Sequence, residues 1–421
     1  MLKDISINLG NFMLSMADAI DMSSPLITSH QMRTAFIAWR ICEVGKVAKA
    51  STERIFIAAL LHDIGALTPE EKIRIHRFDT TDIDDHCRIG EMLLKSCPFL
   101  APSAPAVRHH HRMWEEWETA LEAPHVFESQ VVQLADVLEK LIKRDRFILL
   151  QVDDLKVGIA GFAGQKINRK LVKLLEELAE REDFWLDLVS PRLYSLLLNN
   201  GPLNRSGIDS AEAHDLTKLF RNIIDLRSRF TAAHSAGVVE CATRLSRLFG
   251  MTEGEIRQME MAGNLHDLGM LAVPGEILDK PGRLTTDEFA LIKQHPYVTY
   301  SVLNSISGME QIAEWAALHH EMLDGSGYPF HAQANRLSTG ARILAVADIF
   351  TALNADRAHR KSMGKGEVEK ILLSQVRDNQ LAGNIVNLLC DNYTDLAESV
   401  AGKQAKVLER YLENMPRRGG A

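Results

Sequence analysis

The chain has 421 residues, 46% of them hydrophobic and 25% charged, with a formal net charge of −8. That is enough chain and apolar side chain for two or three domains with buried cores, and the acidic balance argues against a broad nucleic-acid-binding face. Five dispersed cysteines without a Cys-x-x-Cys pair fit reduced thiols rather than a disulfide scaffold. No signal peptide is visible, and no apolar run approaches the ~18–20 residues of a membrane helix, so the expectation is a soluble, cytoplasmic protein that binds neither duplex nucleic acid nor membrane.

In chain order, the apolar period is helical nearly throughout. The run Ala58–Leu61 leads into His62-Asp63, and Leu171, Leu174, Leu175 and Leu178 recur at spacings of three and four along one helix face. Alternating β-branched runs are scarce, which predicts an all-α protein. Asn200-Gly201-Pro202 is a turn signal. Across it the chain repeats itself. His30, His62-Asp63, His86, His109-His110 and Asp136 are followed by His234, His266-Asp267, His295, His319-His320 and Asp348. The first gap is 32 residues in both halves, and the later gaps differ by a few residues. Ala59–Gly65 also resembles Gly263–Gly269, and Leu134–Val137 resembles Val346–Ile349. A period of about 200 residues is too long for a solenoid. The repeat predicts two tandem, duplicated helical domains, residues 1–203 and 204–421.

Adjacent helical residues point about 100° apart. A His-Asp pair can therefore direct its imidazole to one ion and its carboxylate toward a second. Nitrogen and oxygen donors without thiolate suit transition metals better than calcium. The expectation is two divalent ions, iron or manganese first, with nickel, zinc or magnesium as alternatives. Two ions roughly 3.5–4 Å apart suit hydrolysis of a phosphate ester, because they activate a water and stabilise the leaving oxygen. His319-His320-Glu321 runs into Asp324-Gly325-Ser326-Gly327-Tyr328-Pro329, a glycine-rich turn three residues further on that must lie near any bound ions.

These residues resemble the HD superfamily of metal-dependent phosphohydrolases, and the second half resembles its HD-GYP branch. The carriers are His266-Asp267, the stretch from His319-His320-Glu321 to Tyr328-Pro329, and Ala341–Asp348. The resemblance covers about residues 225–365. It implies a bacterial all-helical phosphodiesterase that opens cyclic di-GMP or 3′,3′-cyclic GMP-AMP to a linear dinucleotide. It further implies His234, His266, Asp267, His295, His319, His320 and Asp348 as metal ligands, with Asp267 bridging. Arg357 and Arg360 fall where the family places phosphate contacts, a role that suits the guanidinium fork; the other reading of each is a solvated helix face. Lys280 fits a family loop or is merely exposed. Gly325 and Gly327 would let the backbone approach phosphate; Tyr328, followed by Pro329, would stack a base or close the cleft.

Two departures stand out. Met270 occupies the position of a family lysine and brings no charge. Phe230 replaces a glutamate found in members with a third metal, so two ions are expected. The first half lacks the glycine-rich turn. Ala66 takes its lysine position, and Asp145 and Ile148 stand at the positions of the two arginines. A regulatory, docking or dimer-forming role is expected there, with metal binding at His30, His62, Asp63, His86, His109, His110 and Asp136 left open. The competing reading of the whole chain is a nucleotide-sensing or protein-docking module without turnover.

Overall fold

A computed structural model describes residues 7–22, 27–78, 83–227, 233–278, 280, 282–355 and 362–414, with side chains as far as Glu409. Among these residues the only strands are two dipeptides, Ile7–Asn8 and Gly207–Ile208, which pair with each other; the remaining regular structure is helical. No helix among them is long and apolar enough to cross a membrane. The chain forms two compact units, one from Asn8 to Ile208 and one from Asp209 onward that also takes in Ile7. They part at Ile208–Asp209, against the division after residue 203 read from the repeat.

Each unit is built around five helices in the same order. In the first these are His30–Val44, Lys49–Leu61, Ile83–Lys95, Ala104–His109 and Pro124–Leu141. The helix His30–Val44 packs on both Lys49–Leu61 and Pro124–Leu141. The unbroken apolar run Ile55–Leu61 is buried, as are Val131, Val132, Leu134, Ala135, Val137 and Leu138. A helix apolar on several faces belongs in the centre of a bundle. The leucine stripe of residues 171–178 behaves as a one-sided helix, burying Leu171, Leu175 and Leu178 within Arg169–Ala179.

In the second unit the five helices are His234–Phe249, Glu253–Leu265, His295–Leu303, Glu310–Ala317 and Thr339–Asn354. The first packs on the second and fifth, as in the other unit. Their ends are set locally. Thr252 and Glu255 form a capping box, and Gly250 stops the helix His234–Phe249 in the left-handed conformation at φ +87°.

A buried aspartate steadies the first helix of each bundle at its amino end. Asp21 Oδ2 accepts from the Gln31 amide at 3.0 Å, and Asp225 Oδ1 accepts from Ser235 Oγ at 2.6 Å. Burial pushes each carboxyl up to about 7. An offset of 204 residues relates Asp21 to Asp225, His30 to His234 and His62 to His266.

Candidate metal centre

In the second unit each of the five helices delivers donors to one place. His234 and His295 open their helices, while His266-Asp267 and His319-His320 follow the ends of theirs; Asp348 lies within Thr339–Asn354. His234 Nε2 is 2.9 Å from Asp348 Oδ1. Asp267 faces two ways: Oδ2 lies 3.3 Å from His266 Nε2, and Oδ1 lies 3.4 Å from His295 Nε2 and 4.0 Å from His319 Nε2. The donors fall into two groups, His234/His266/Asp348 and His295/His319/His320, each with its donor atoms within 4.8 Å of one another. Asp267 stands between them. His320 Nδ1 is 3.9 Å from Asp348 Oδ2.

The imidazoles are oriented from behind. His266 Nδ1 donates to the Gly263 carbonyl at 2.8 Å, His295 Nδ1 to Ile292 at 2.7 Å and His319 Nδ1 to Ala316 at 2.6 Å. A carbonyl only accepts, so each Nδ1 carries the proton and Nε2 faces the centre. His295 and His319 consequently point two bare lone pairs at each other across 3.3 Å. His266 Nε2 is buried beside them and faces Asp267 Oδ2 at 3.3 Å. Bare acceptors crowded together in a dry pocket are unfavourable unless a cation lies between them. The residues therefore fit divalent ions.

Electrostatics agree. Burial raises the Asp267 pKa, but His266 and the other imidazoles outweigh it and hold the carboxyl well below the usual range. Burial, with His320 and His266 beside it, keeps His319 neutral far below the usual histidine range. Burial also lowers His320 to about 4. His266 goes the other way: burial opposes its charge, yet Asp267 raises it to about 9.

Several supports carry no sequence signal of their own. Thr299 Oγ1 accepts from the Gly269 amide at 2.9 Å and donates to the His266 carbonyl at 3.1 Å, fastening the His-Asp turn to the helix His295–Leu303. Gly269 has no room for a Cβ, because the His295 carbonyl fills that space. Gly65 meets the His86 carbonyl in the same way in the first unit. Arg227 donates to the carbonyls of Met270 and Val273.

The glycine-rich turn folds onto His320. Buried Glu321 accepts from the amides of Phe330 at 2.7 Å and Ala332 at 2.9 Å. The Tyr328 ring stacks on His320, centroids 4.8 Å apart, and the Tyr328–Pro329 bond is cis. A Cβ at Gly327 would collide with the backbone of His320 and Glu321, so the protein itself requires that glycine. Gly325 is left-handed at φ +80°. Lys280 is engaged by both oxygens of Glu288, each at 2.7 Å. Arg357, Arg360 and Phe230 lie outside the described residues.

The first unit repeats the arrangement with one correction. The paired imidazoles are His110 and His111, one residue beyond the His109-His110 pair read from spacing. His110 Nδ1 donates to the Val107 carbonyl at 2.6 Å, as His319 does to Ala316, and His110 Nε2 is 3.7 Å from Asp63 Oδ1. His109 packs its ring on Trp117 instead. The interval from His86 to His110 is then 24 residues, equal to that from His295 to His319.

Family models described as HD domain match residues 27–141 and 218–381. A 3′3′-cGAMP-specific phosphodiesterase of Vibrio cholerae is 28% identical across 92% of this chain and 92% of its own. A second such enzyme from that organism is 32% identical across 59% of this chain and 55% of its own. A cyclic di-GMP phosphodiesterase response regulator of Xanthomonas campestris is 38% identical over 37% of this chain and 41% of its own. The crystal structure of a cyclic GMP-AMP specific phosphodiesterase of V. cholerae superposes with a TM-score of 0.63 at 20% identity. That superposition covers 98% of this chain and 99% of the other, a likeness of fold.

Proposed function

We propose that this chain, which belongs to the HD domain family and carries that domain twice, is a cyclic-dinucleotide phosphodiesterase whose working centre lies in the second unit. The observation that carries the reading is the convergence of seven donors on one pocket, with the two oxygens of Asp267 facing one group each. His234, His266, Asp348 and Asp267 Oδ2 would hold one divalent ion. His295, His319, His320 and Asp267 Oδ1 would hold the other. Iron or manganese suits this nitrogen and oxygen set. Bound there, the ions would supply Lewis acidity and an acidified water for attack on phosphorus.

The protein's own part is to prepare the ground. Asp267 stays ionised, and His295 and His319 stay neutral with Nε2 forward. Glu321 fixes the turn that carries Tyr328 over His320, where the ring covers one face of that imidazole. Met270 offers no charge for phosphate, so the scissile phosphate depends on other cations.

3′3′-Cyclic GMP-AMP is the favoured substrate, because the relative that matches both units along 92% of each chain bears that specificity in its name. Cyclic di-GMP ranks second, since the relative above named for it matches 37% of this chain. The test is hydrolysis of both nucleotides by purified protein loaded with Mn²⁺ or Fe²⁺, beside Asp267→Ala. A linear product from the unsubstituted protein alone supports the reading; absence of turnover with either nucleotide defeats it. The missing cation at Met270 favours one second reading, a module that retains the nucleotide without cleaving it. Tight retention without product in the same assay would establish that instead.

A further inference from the structure

The charge that Met270 does not bring is present on a neighbouring helix. Thr286–Lys293 ends two residues before His295. The Ile292 carbonyl accepts from His295 Nδ1 at 2.7 Å, so Lys293 leaves the chain directly beside one of the converging donors. Phe289 and Lys293 are four residues apart and share a helix face. Their side chains meet there, with Lys293 Nζ 5.0 Å from the centroid of the Phe289 ring. The same ammonium stands 5.7 Å from the centroid of Tyr328. Tyr328 packs edge-on against Phe289, centroids 6.0 Å apart at 80°, and stacks on His320. Tyr328 therefore links Lys293 to a member of the metal centre.

Three cations around Met270 and the glycine-rich turn are engaged elsewhere. Glu288 holds Lys280 with both oxygens. Arg227 donates to the carbonyls of Met270 and Val273, and Arg342 to those of Leu337 and Ala334. Lys293 differs from them. It is exposed, and its ammonium meets no carboxylate or other hydrogen-bond acceptor among the described residues. Attraction to an aromatic face at an exposed site is worth about 0.5–1 kcal/mol. That is enough to bias where the ammonium stands, and it leaves three N–H donors to be satisfied. The first unit has the opposite charge at this place. Asp84 lies two residues before His86, as Lys293 does before His295, and it pairs with Arg108. The first unit also lacks the glycine-rich turn, so cation and turn occur together.

We propose that Lys293 binds the phosphate of the cyclic dinucleotide that is not being cleaved, with Phe289 and Tyr328 holding its ammonium in place. The assignment rests on the function proposed above for the second unit. A cyclic dinucleotide carries two phosphodiesters. The ions would take one, and the other reaches the rim of the pocket with its negative charge intact. A phosphate oxygen there gives the ammonium the acceptor it lacks, in a charge-assisted hydrogen bond. Lysine serves phosphate as a point charge and needs no paired geometry. Lys293 is thus a binding residue that takes no part in bond breaking.

The test is steady-state kinetics of the manganese-loaded full chain on 3′3′-cyclic GMP-AMP and cyclic di-GMP. Bis(p-nitrophenyl) phosphate, a diester with a single phosphate, runs beside them. Lys293→Met keeps an apolar stem and removes the charge, and Lys293→Gln is a second charge-free variant should the first not fold. KM for the cyclic dinucleotide should rise about tenfold, the share of one charge-assisted hydrogen bond, with kcat changing less than KM. The ratio of kcat/KM for the cyclic dinucleotide to that for the small diester should fall by a similar factor. Lys293→Arg should restore most of both. An unchanged KM in the folded, manganese-loaded charge-free variant overturns the proposal and leaves the function of the second unit standing. An equal loss on both kinds of diester does the same, because Lys293 would then only support the turn. If the unsubstituted chain retains a cyclic dinucleotide without cleaving it, Kd from equilibrium dialysis with manganese replaces KM, with the same expectation and the same overturning result. Neither turnover nor retention of either nucleotide by the unsubstituted chain defeats the proposed function and this assignment with it.

Discussion

Thr299 shows how much of the centre rests on residues outside the converging donors. Its hydroxyl joins the Gly269 amide to the His266 carbonyl in a fully buried setting. Thr299→Val keeps the shape and leaves both backbone groups unpaired. The expected cost is about 1–3 kcal/mol of stability, read by chemical denaturation. Manganese affinity should fall about 10–100-fold, read by calorimetry. No feature of the sequence marks Thr299, because its role exists only once the His-Asp turn and the helix His295–Leu303 meet. The convergence of the seven donors was legible, since each is a residue type with one dominant chemistry at a spacing repeated in the other half.

At the scale of elements, the turn after His320 is a clamp. Glu321 grips Phe330 and Ala332, the Tyr328 amide donates to the His320 carbonyl at 3.2 Å, and Gly327 makes the close passage possible. Gly327→Ala should push the turn off His320 while leaving the other six donors in place. We expect catalytic turnover to drop about a hundredfold, as for a displacement of about 1 Å, with metal content unchanged; kinetics beside metal analysis separates the two effects. The turn was readable as a unit from its glycines and its distance from the histidines. The registration of the first half was not. His109-His110 and His110-His111 are both adjacent pairs, and connecting segments vary in length between the halves. The hydrogen bond from His110 to the carbonyl three residues back, its approach to Asp63 and the packing of His109 on Trp117 select the second pair. The aspartate braces at Asp21 and Asp225 share the 204-residue offset of the histidines. A lone aspartate near a helix end is ordinary, so neither stands out in the sequence.

Across the whole molecule, protonation sets the stability of the metal-free chain. Burial opposes charge on His30, His62 and His266, but neighbouring carboxylates prevail and raise them to about 10, 9 and 9. Burial raises Asp21 and Asp225 to about 7. A folded-state pKa above the unfolded value contributes stability below the unfolded pKa and loses it as pH climbs through the folded one. The aspartates lose their contribution between about 4 and 7 and the three histidines theirs from about 6.5, the unfolded value, to 9 or 10, all in the same direction. Thermal melts of chelated protein should therefore fall steadily from pH 6.5 to 9. Manganese-loaded protein should fall less, because its ligands are already deprotonated. The carbonyls of Gly263, Ile292 and Ala316 that orient the imidazoles all come from the last turns of helices. Three helix ends thus add negative potential to a pocket that already holds two carboxylates, against which the His266 imidazolium sets one positive charge. An empty pocket of this kind repels a dianionic nucleotide, so loading must come first. Equilibrium dialysis against chelated protein should retain no cyclic dinucleotide, and retention should emerge in step with added manganese.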